Sequence, residues 1–142
     1  MKNTTMRMMI AAAALAVAAG TAAAQTYKGE IPVAFRAGEK LMQPGAYEIR
    51  VSTGSSGIAH VTVRNADNGA TALLVPTYGT DAPKAWRTAG KPVFAFACAD
   101  GRCALRTLWT GTDLATYRFP GSLTPSSDRQ TAEMLVTLVK SE

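Results

Sequence analysis

One histidine, two cysteines and ten acidic residues make up the reactive inventory of this 142-residue chain. A hydrolytic triad needs a nucleophile, a base and an orienting acid, and His60 is the single imidazole on offer. It falls in Ala59-His60-Val61-Thr62-Val63-Arg64, on the polar side of a period-two pattern with Thr62 and Arg64. That is the setting of a solvated strand histidine. One histidine also excludes a multi-histidine metal centre. Asp67-Asn68-Gly69 resembles a fragment of a calcium loop but lacks the later ligands, and Gly54-Ser55-Ser56-Gly57 lacks the lysine and following helix of a phosphate loop. Glycosidase-type carboxylate pairs are arranged by the fold rather than by spacing. Here, though, Asp67, Asp81, Asp100, Asp113 and Asp128 lie in turn-like contexts, and Glu30, Glu39 and Glu48 on turns or polar strand faces. No catalytic constellation is visible, and no metal or cofactor is called for.

The cysteines say more. Cys98 and Cys103 flank Ala99-Asp100-Gly101-Arg102, and Asp-Gly is a strong two-residue hairpin signal. With Asp100 and Gly101 as the loop, Ala99 faces Arg102 and Cys98 faces Cys103. Their Cα atoms would then stand roughly 4.5 Å apart, which suits a disulfide. The spacing is not the Cys-x-x-Cys of redox catalysts. A structural hairpin crosslink is expected.

Two stretches combine aromatic and basic residues. Tyr78 to Lys91 contains Lys84, Trp86 and Arg87, and Trp109 to Phe119 contains Tyr117 and Arg118. Aromatic rings beside guanidinium groups suit stacking on sugars and contact with anionic polymers. The plainer reading makes Trp86 and Tyr117 core plugs and the cations solvated. Both stretches belong to a faint repeat. Ala72-Leu73, Gly79-Thr80-Asp81 and Trp86-Arg87 are echoed by Ala104-Leu105, Gly111-Thr112-Asp113 and Tyr117-Arg118. A duplicated unit would carry both aromatic-Arg pairs to equivalent loop positions.

The elements that must position these residues are short strands. Ile31, Val33 and Phe35 alternate with Pro32, Ala34 and Arg36, a strand that Pro32 assigns to a sheet edge. Gln43-Pro44-Gly45-Ala46 reads as a tight turn. Tyr47, Ile49 and Val51 then share one face, as do Ala59, Val61 and Val63. Further strands are expected over Thr71–Val75, Val93–Cys98, Cys103–Trp109 and Met134–Lys140. For the last, a helix capped by Ser127-Asp128 competes, but Val136, Thr137 and Val139 favour a strand. Seven or eight short strands with frequent turn signals give an all-β fold, an antiparallel β-sandwich or small barrel.

Ile31-Pro32-Val33-Ala34-Phe35, Gly38, Lys40 and Pro44-Gly45-Ala46-Tyr47 resemble a group of small exported bacterial β-proteins of unassigned function. Those carry an apolar-Pro-apolar-x-Phe strand followed by a Leu-Pro-Ala-Gly-x-Tyr turn. The present chain has Pro directly before Gly instead. The resemblance covers about residues 31–51. It implies a β-rich exported domain and brings no catalytic residues with it.

The beginning of the chain supports export. Lys2 and Arg7 precede an apolar run from Met8 to Ala19, and Ala22-Ala23-Ala24 offers small residues before Gln25, the three-part pattern of a cleaved signal peptide. The run is too short for a membrane span. Residues 1–24 are thus expected to be removed, leaving a single domain over 25–142, periplasmic or secreted. The leader also distorts the composition, which is 47% hydrophobic with a formal charge of +5. Without Lys2 and Arg7 the 15 basic residues fall to 13 against 10 acids, or about +3. That modest charge argues against nucleic acid as a partner. The expectation is an exported, non-enzymatic binding or envelope-associated domain that meets a cell-envelope polymer or protein, with acidic glycans or other polyanions as ligands of the aromatic/Arg loops. Two alternatives stand beside it: a small secreted hydrolase using loop carboxylates, and a structural subunit that assembles through an edge strand.

Overall fold

The computed structural model describes residues 24–54, 56–112, 115–120 and 132–141. Twelve strands and one short helix lie within them. One sheet holds β1 (Ala24–Ile31), β4 (Gly45–Thr53), β5 (Ala59–Asn65), β6 (Thr71–Leu74) and β12 (Val139–Ser141), in the order β12-β1-β4-β5-β6. The second is built on β7 (Thr77–Asp81), β8 (Val93–Ala99), β9 (Arg102–Trp109), β10 (Ala115–Arg118) and β11 (Ala132–Thr137), in the order β11-β8-β9-β10-β7. A small arm, β2 (Phe35–Ala37) and β3 (Lys40–Met42), joins that second sheet. Neither sheet closes into a barrel, so the sandwich alternative is the one realised.

Period-two alternation is the reason for the two layers. Tyr47, Ile49 and Val51 of β4, and Val61 and Val63 of β5, enter one core with Phe94 and Phe96 of β8 and Leu105 and Leu108 of β9. Phe35 binds the layers together, meeting Tyr47 and Phe96 edge-on at centroid distances of 5.3 and 5.1 Å. The hairpin crosslink forms as its sequence implied. Cys98 and Cys103 are direct ladder partners, bonded, with Cα atoms 4.0 Å apart. Asp100 and Gly101 both have positive φ (53° and 75°), the turn that a two-residue hairpin requires.

Several elements depart from expectation. The stretch from Ile31 to Phe35 is not one strand. β1 ends at Ile31, β2 begins at Phe35, and Pro32, with no N–H to give to a ladder, opens the crossing between the sheets. β2 then runs parallel to β9, the one parallel pairing among the described residues. β1 itself was hidden by its polar residues, since Tyr27 and Ile31 are the large apolar groups it sends inward. The expected strand over Met134–Lys140 splits in two. β11 pairs with β8, β12 pairs with β1, and Leu138, fully buried between them, carries the chain from one sheet to the other. Its N–H bonds to the Pro92 carbonyl at 2.8 Å. Gly29 makes room for this corner: a Cβ there would lie 2.6 Å from Leu138 Cδ2. The alternative cap at Ser127-Asp128 lies outside the described residues.

Each sheet margin carries a feature that discourages strand addition. Lys40 Nζ donates to the Thr71 carbonyl at 2.8 Å on the β6 margin. A register irregularity between Ala115 and Tyr117 interrupts the β7–β10 ladder. β11 turns the corner at Leu138, and β12 is three residues long and includes Lys140.

Candidate binding surface

A helix, α1 (Lys84–Ala89), occupies a stretch that the sequence pattern reads as loop, although its signals are present. Pro83 holds the entry, Gly90 closes the last turn at φ 67° with its N–H on the Trp86 carbonyl at 2.9 Å, and Pro92 follows. Six residues do not make a stable helix alone. Trp86 anchors it, 8% exposed, in a satellite cluster with Ala82, Val93, Ala95 and Trp109. Val93 and Ala95 alternate with Phe94 and Phe96, which face the main core, so α1 lies on the outer side of the second sheet. Lys84 and Arg87, three positions apart on the helix, are both exposed.

On β10, Tyr117 and Arg118 are consecutive strand residues and therefore point to opposite faces. Tyr117 is half-buried, packs on the main core, and pairs with Leu108 on one side and Tyr78 on the other. The Tyr78 and Tyr117 rings are 5.8 Å apart, and Tyr78 is 72% exposed. Arg118 pairs with Thr107, which pairs with Ala95, and so belongs to the outer face that α1 covers in part.

Neither aromatic-Arg dipeptide therefore makes a side-by-side pair. In the helix the two side chains diverge, and in the strand they oppose. The repeat is likewise not a structural duplication. Gly79-Thr80-Asp81 lies within β7, whereas Gly111-Thr112 forms a bend after β9, and Asp113 lies outside the described residues.

What the fold does bring together is positive charge. Arg36, between inward-facing Phe35 and Ala37, pairs with Ala104 on the outer face. Arg102 pairs with Ala99 on the same side, next to the inward cysteines. Arg118 completes the row. β2 and β10 flank the same side of β9 end to end, β2 at Cys103 and Ala104, β10 at Thr107 and Leu108. Arg36, Arg102 and Arg118 are all exposed, and Arg106, half-buried, is the additional residue where the β8–β9 register shifts. Glu133 is the acid that the β11 ladder sets on this face, opposite Ala97, and Glu39 and Asp100 sit in the adjoining turns. Of the five residues singled out from the sequence, Lys84, Arg87 and Arg118 share this face, Trp86 lies beneath the helix, and Tyr117 is on the other side of the sheet. Arg36 and Arg102 were missed. Each sits singly between small or apolar neighbours, a pattern that alternation alone makes legible once the pairing is known.

The first sheet presents a different surface. A shallow depression of about 380 Å³ lies over Lys28, Glu30, Glu48 and Val139. Glu48 is flanked across the ladders by Lys28 and Arg64, an alternating row of charge, and Glu30 faces Ala46. His60 stands opposite Ser52, half-buried. Among the described residues no group of three His, Cys, Asp or Glu is placed to hold a metal ion. Burial, and secondarily the nearby Asp67 carboxylate, raises the Tyr47 pKa above its ordinary value against a lowering hydrogen bond from Asn65. This phenol belongs to the core, where it donates to the Gln43 carbonyl.

The proposed leader, residues 1–24, lies outside the described residues except for Ala24, which opens β1. No helix among the described residues is long and apolar enough to cross a membrane. Comparison of the chain with protein-family models, with curated proteins and with solved structures yields no match.

Proposed function

We propose that this is an exported, non-enzymatic β-sandwich of the cell envelope, periplasmic or secreted, that binds acidic glycans or related polyanions through the outer face of its second sheet. The observation that carries the reading is the convergence of Arg36, Arg102 and Arg118, from three separate strands, on the outer face of the second sheet along β9. Lys84 and Arg87 extend the same field from α1. Guanidinium groups are the natural partners of carboxylate, sulfate and phosphate, and a face on which cations outnumber acids raises the local concentration of a polyanion. The basic leader, apolar run and Ala-x-Ala site support export, and the Cys98–Cys103 disulfide suits an oxidising compartment. Assembly through an edge strand draws less support, because the sheet margins carry the guards described above.

Immobilised dextran sulfate tests the binding. The protein should be retained at low salt and released as salt rises. The Arg36→Ala/Arg102→Ala/Arg118→Ala variant should elute at clearly lower salt. Lys28→Ala/Arg50→Ala/Arg64→Ala, which removes equal charge from the opposite face, should elute close to the parent. Equal elution of the two triple variants overturns the reading. For export, the intact mass of protein recovered from the host should correspond to a chain beginning at Gln25.

A further inference from the structure

We infer that the ligand of the basic face is an extended, linear, carboxylate-bearing glycan that runs along β9, rather than a small anion or a diffuse cloud of charge. This inference rests on the polyanion reading above and sharpens it.

Two features of the face carry it. The first is alignment. Arg102 lies on β9 itself, Arg36 stands beside Ala104, and Arg118 beside Thr107. At about 3.3 Å per residue the three guanidinium-bearing positions are strung over roughly 15 Å in one direction. A single small anion cannot meet all three, whereas an extended polymer laid parallel to β9 meets them in succession. Ala104, itself buried, and Thr107 stand beside the arginine positions on this face, with half-buried Arg106 in the strand between them at the register shift. The second feature is residue type. All three aligned cations are arginine, although lysine occurs elsewhere on the surface at Lys28, Lys40 and Lys140. A guanidinium offers a planar fork that matches a planar carboxylate with two parallel hydrogen bonds, where an ammonium acts as a point charge. The Thr107 hydroxyl, within the line, is suited to a sugar hydroxyl. Glu39 and Asp100 border the row near Arg36 and Arg102 and disfavour anions that approach from the turn end.

The test uses the full chain, polygalacturonate, galacturonic acid and polyphosphate, with affinity read by calorimetry at fixed salt. Polygalacturonate should bind at least about tenfold more tightly per binding site than the monomer. The Arg36→Lys/Arg102→Lys/Arg118→Lys variant keeps every charge and should lose at least about tenfold in affinity for polygalacturonate. Unchanged affinity in this variant overturns the fork, even if the alanine variant of the preceding section has lost retention and the polyanion reading stands. Equal affinity for monomer and polymer overturns the linear ligand. Tighter binding of polyphosphate than of polygalacturonate overturns the carboxylate. Loss of dextran sulfate retention in neither triple-alanine variant would instead remove the underlying reading.

Discussion

Asn65 accepts the backbone N–H of Asp67 on its Oδ1 at 2.8 Å, and with that bond it shapes the turn that follows β5. The same oxygen takes the Asn68 N–H at 3.1 Å, and the side-chain nitrogen donates to the Gln43 carbonyl at 3.4 Å. Asn65 is 1% exposed and these three bonds are part-buried, so its truncation removes all three together and water replaces them only in part. Asn65→Ala should therefore cost about 1–3 kcal/mol in urea unfolding. A variant within a few tenths of the parent would show that the turn holds itself.

Tyr47 links this turn to pH. Its folded pKa is raised, so the folded state holds the phenolic proton more tightly than the unfolded chain, whose value is near 10.0. The stability that this contributes is intact below that unfolded value and is lost as pH rises through the folded one. Alkaline unfolding should accordingly be shallower in Tyr47→Phe than in the parent. Parallel curves for the two proteins between pH 9 and 12 would refute the linkage.

The Cys98–Cys103 bond closes a very short loop, which a type of turn with both φ values positive already defines. Chain-entropy arithmetic for so small a ring gives about 2 kcal/mol. Cys98→Ser/Cys103→Ser should keep its circular dichroism spectrum at ambient temperature while unfolding at lower urea. Collapse of the spectrum would mean that the crosslink organises more than its hairpin.

Trp86 is the anchor of α1 and the cover of Val93, Ala95 and Trp109. Trp86→Ala should cost about 3 kcal/mol, and hydrogen exchange should reveal it locally, with protection lost at Gly90 and retained in β4 and β5. Uniform loss of protection across both sheets would make the satellite cluster part of the main cooperative unit.

The division between what alternation revealed and what it concealed follows from physics. β4 and β5 were legible because each repeats an apolar residue at every second position, and β8 and β9 because Asp100-Gly101 fixed their hairpin and with it the cysteine pairing. β1 was not, because Gly29, needed to admit Leu138, removes an apolar residue from the middle of its inward face. The tail from Met134 to Lys140 has continuous strand propensity, and nothing local indicates that Leu138 changes sheets. The signals of α1 are ambiguous in sequence, because Pro83 and Gly90 also mark loops. For the surface, residue type identified Lys84, Arg87 and Arg118, but adjacency in sequence misled: neighbours in a strand face apart. Arg36 and Arg102 join the face only through long-range pairing, which no single stretch encodes.

The corner at Leu138 has a bearing on the order of assembly. β12 docks on β1, with Ser141 beside Thr26 and Val139 beside Lys28, so two strands from opposite ends of the described chain are immediate neighbours. Until β12 and Leu138 dock, β1 can pair with β4 but its other flank stays bare, and the notch at Gly29 stays empty. Such distant pairing is slow to form. Closure of the seam between β1 and β12, rather than formation of any hairpin, would thus be the step that completes the sandwich.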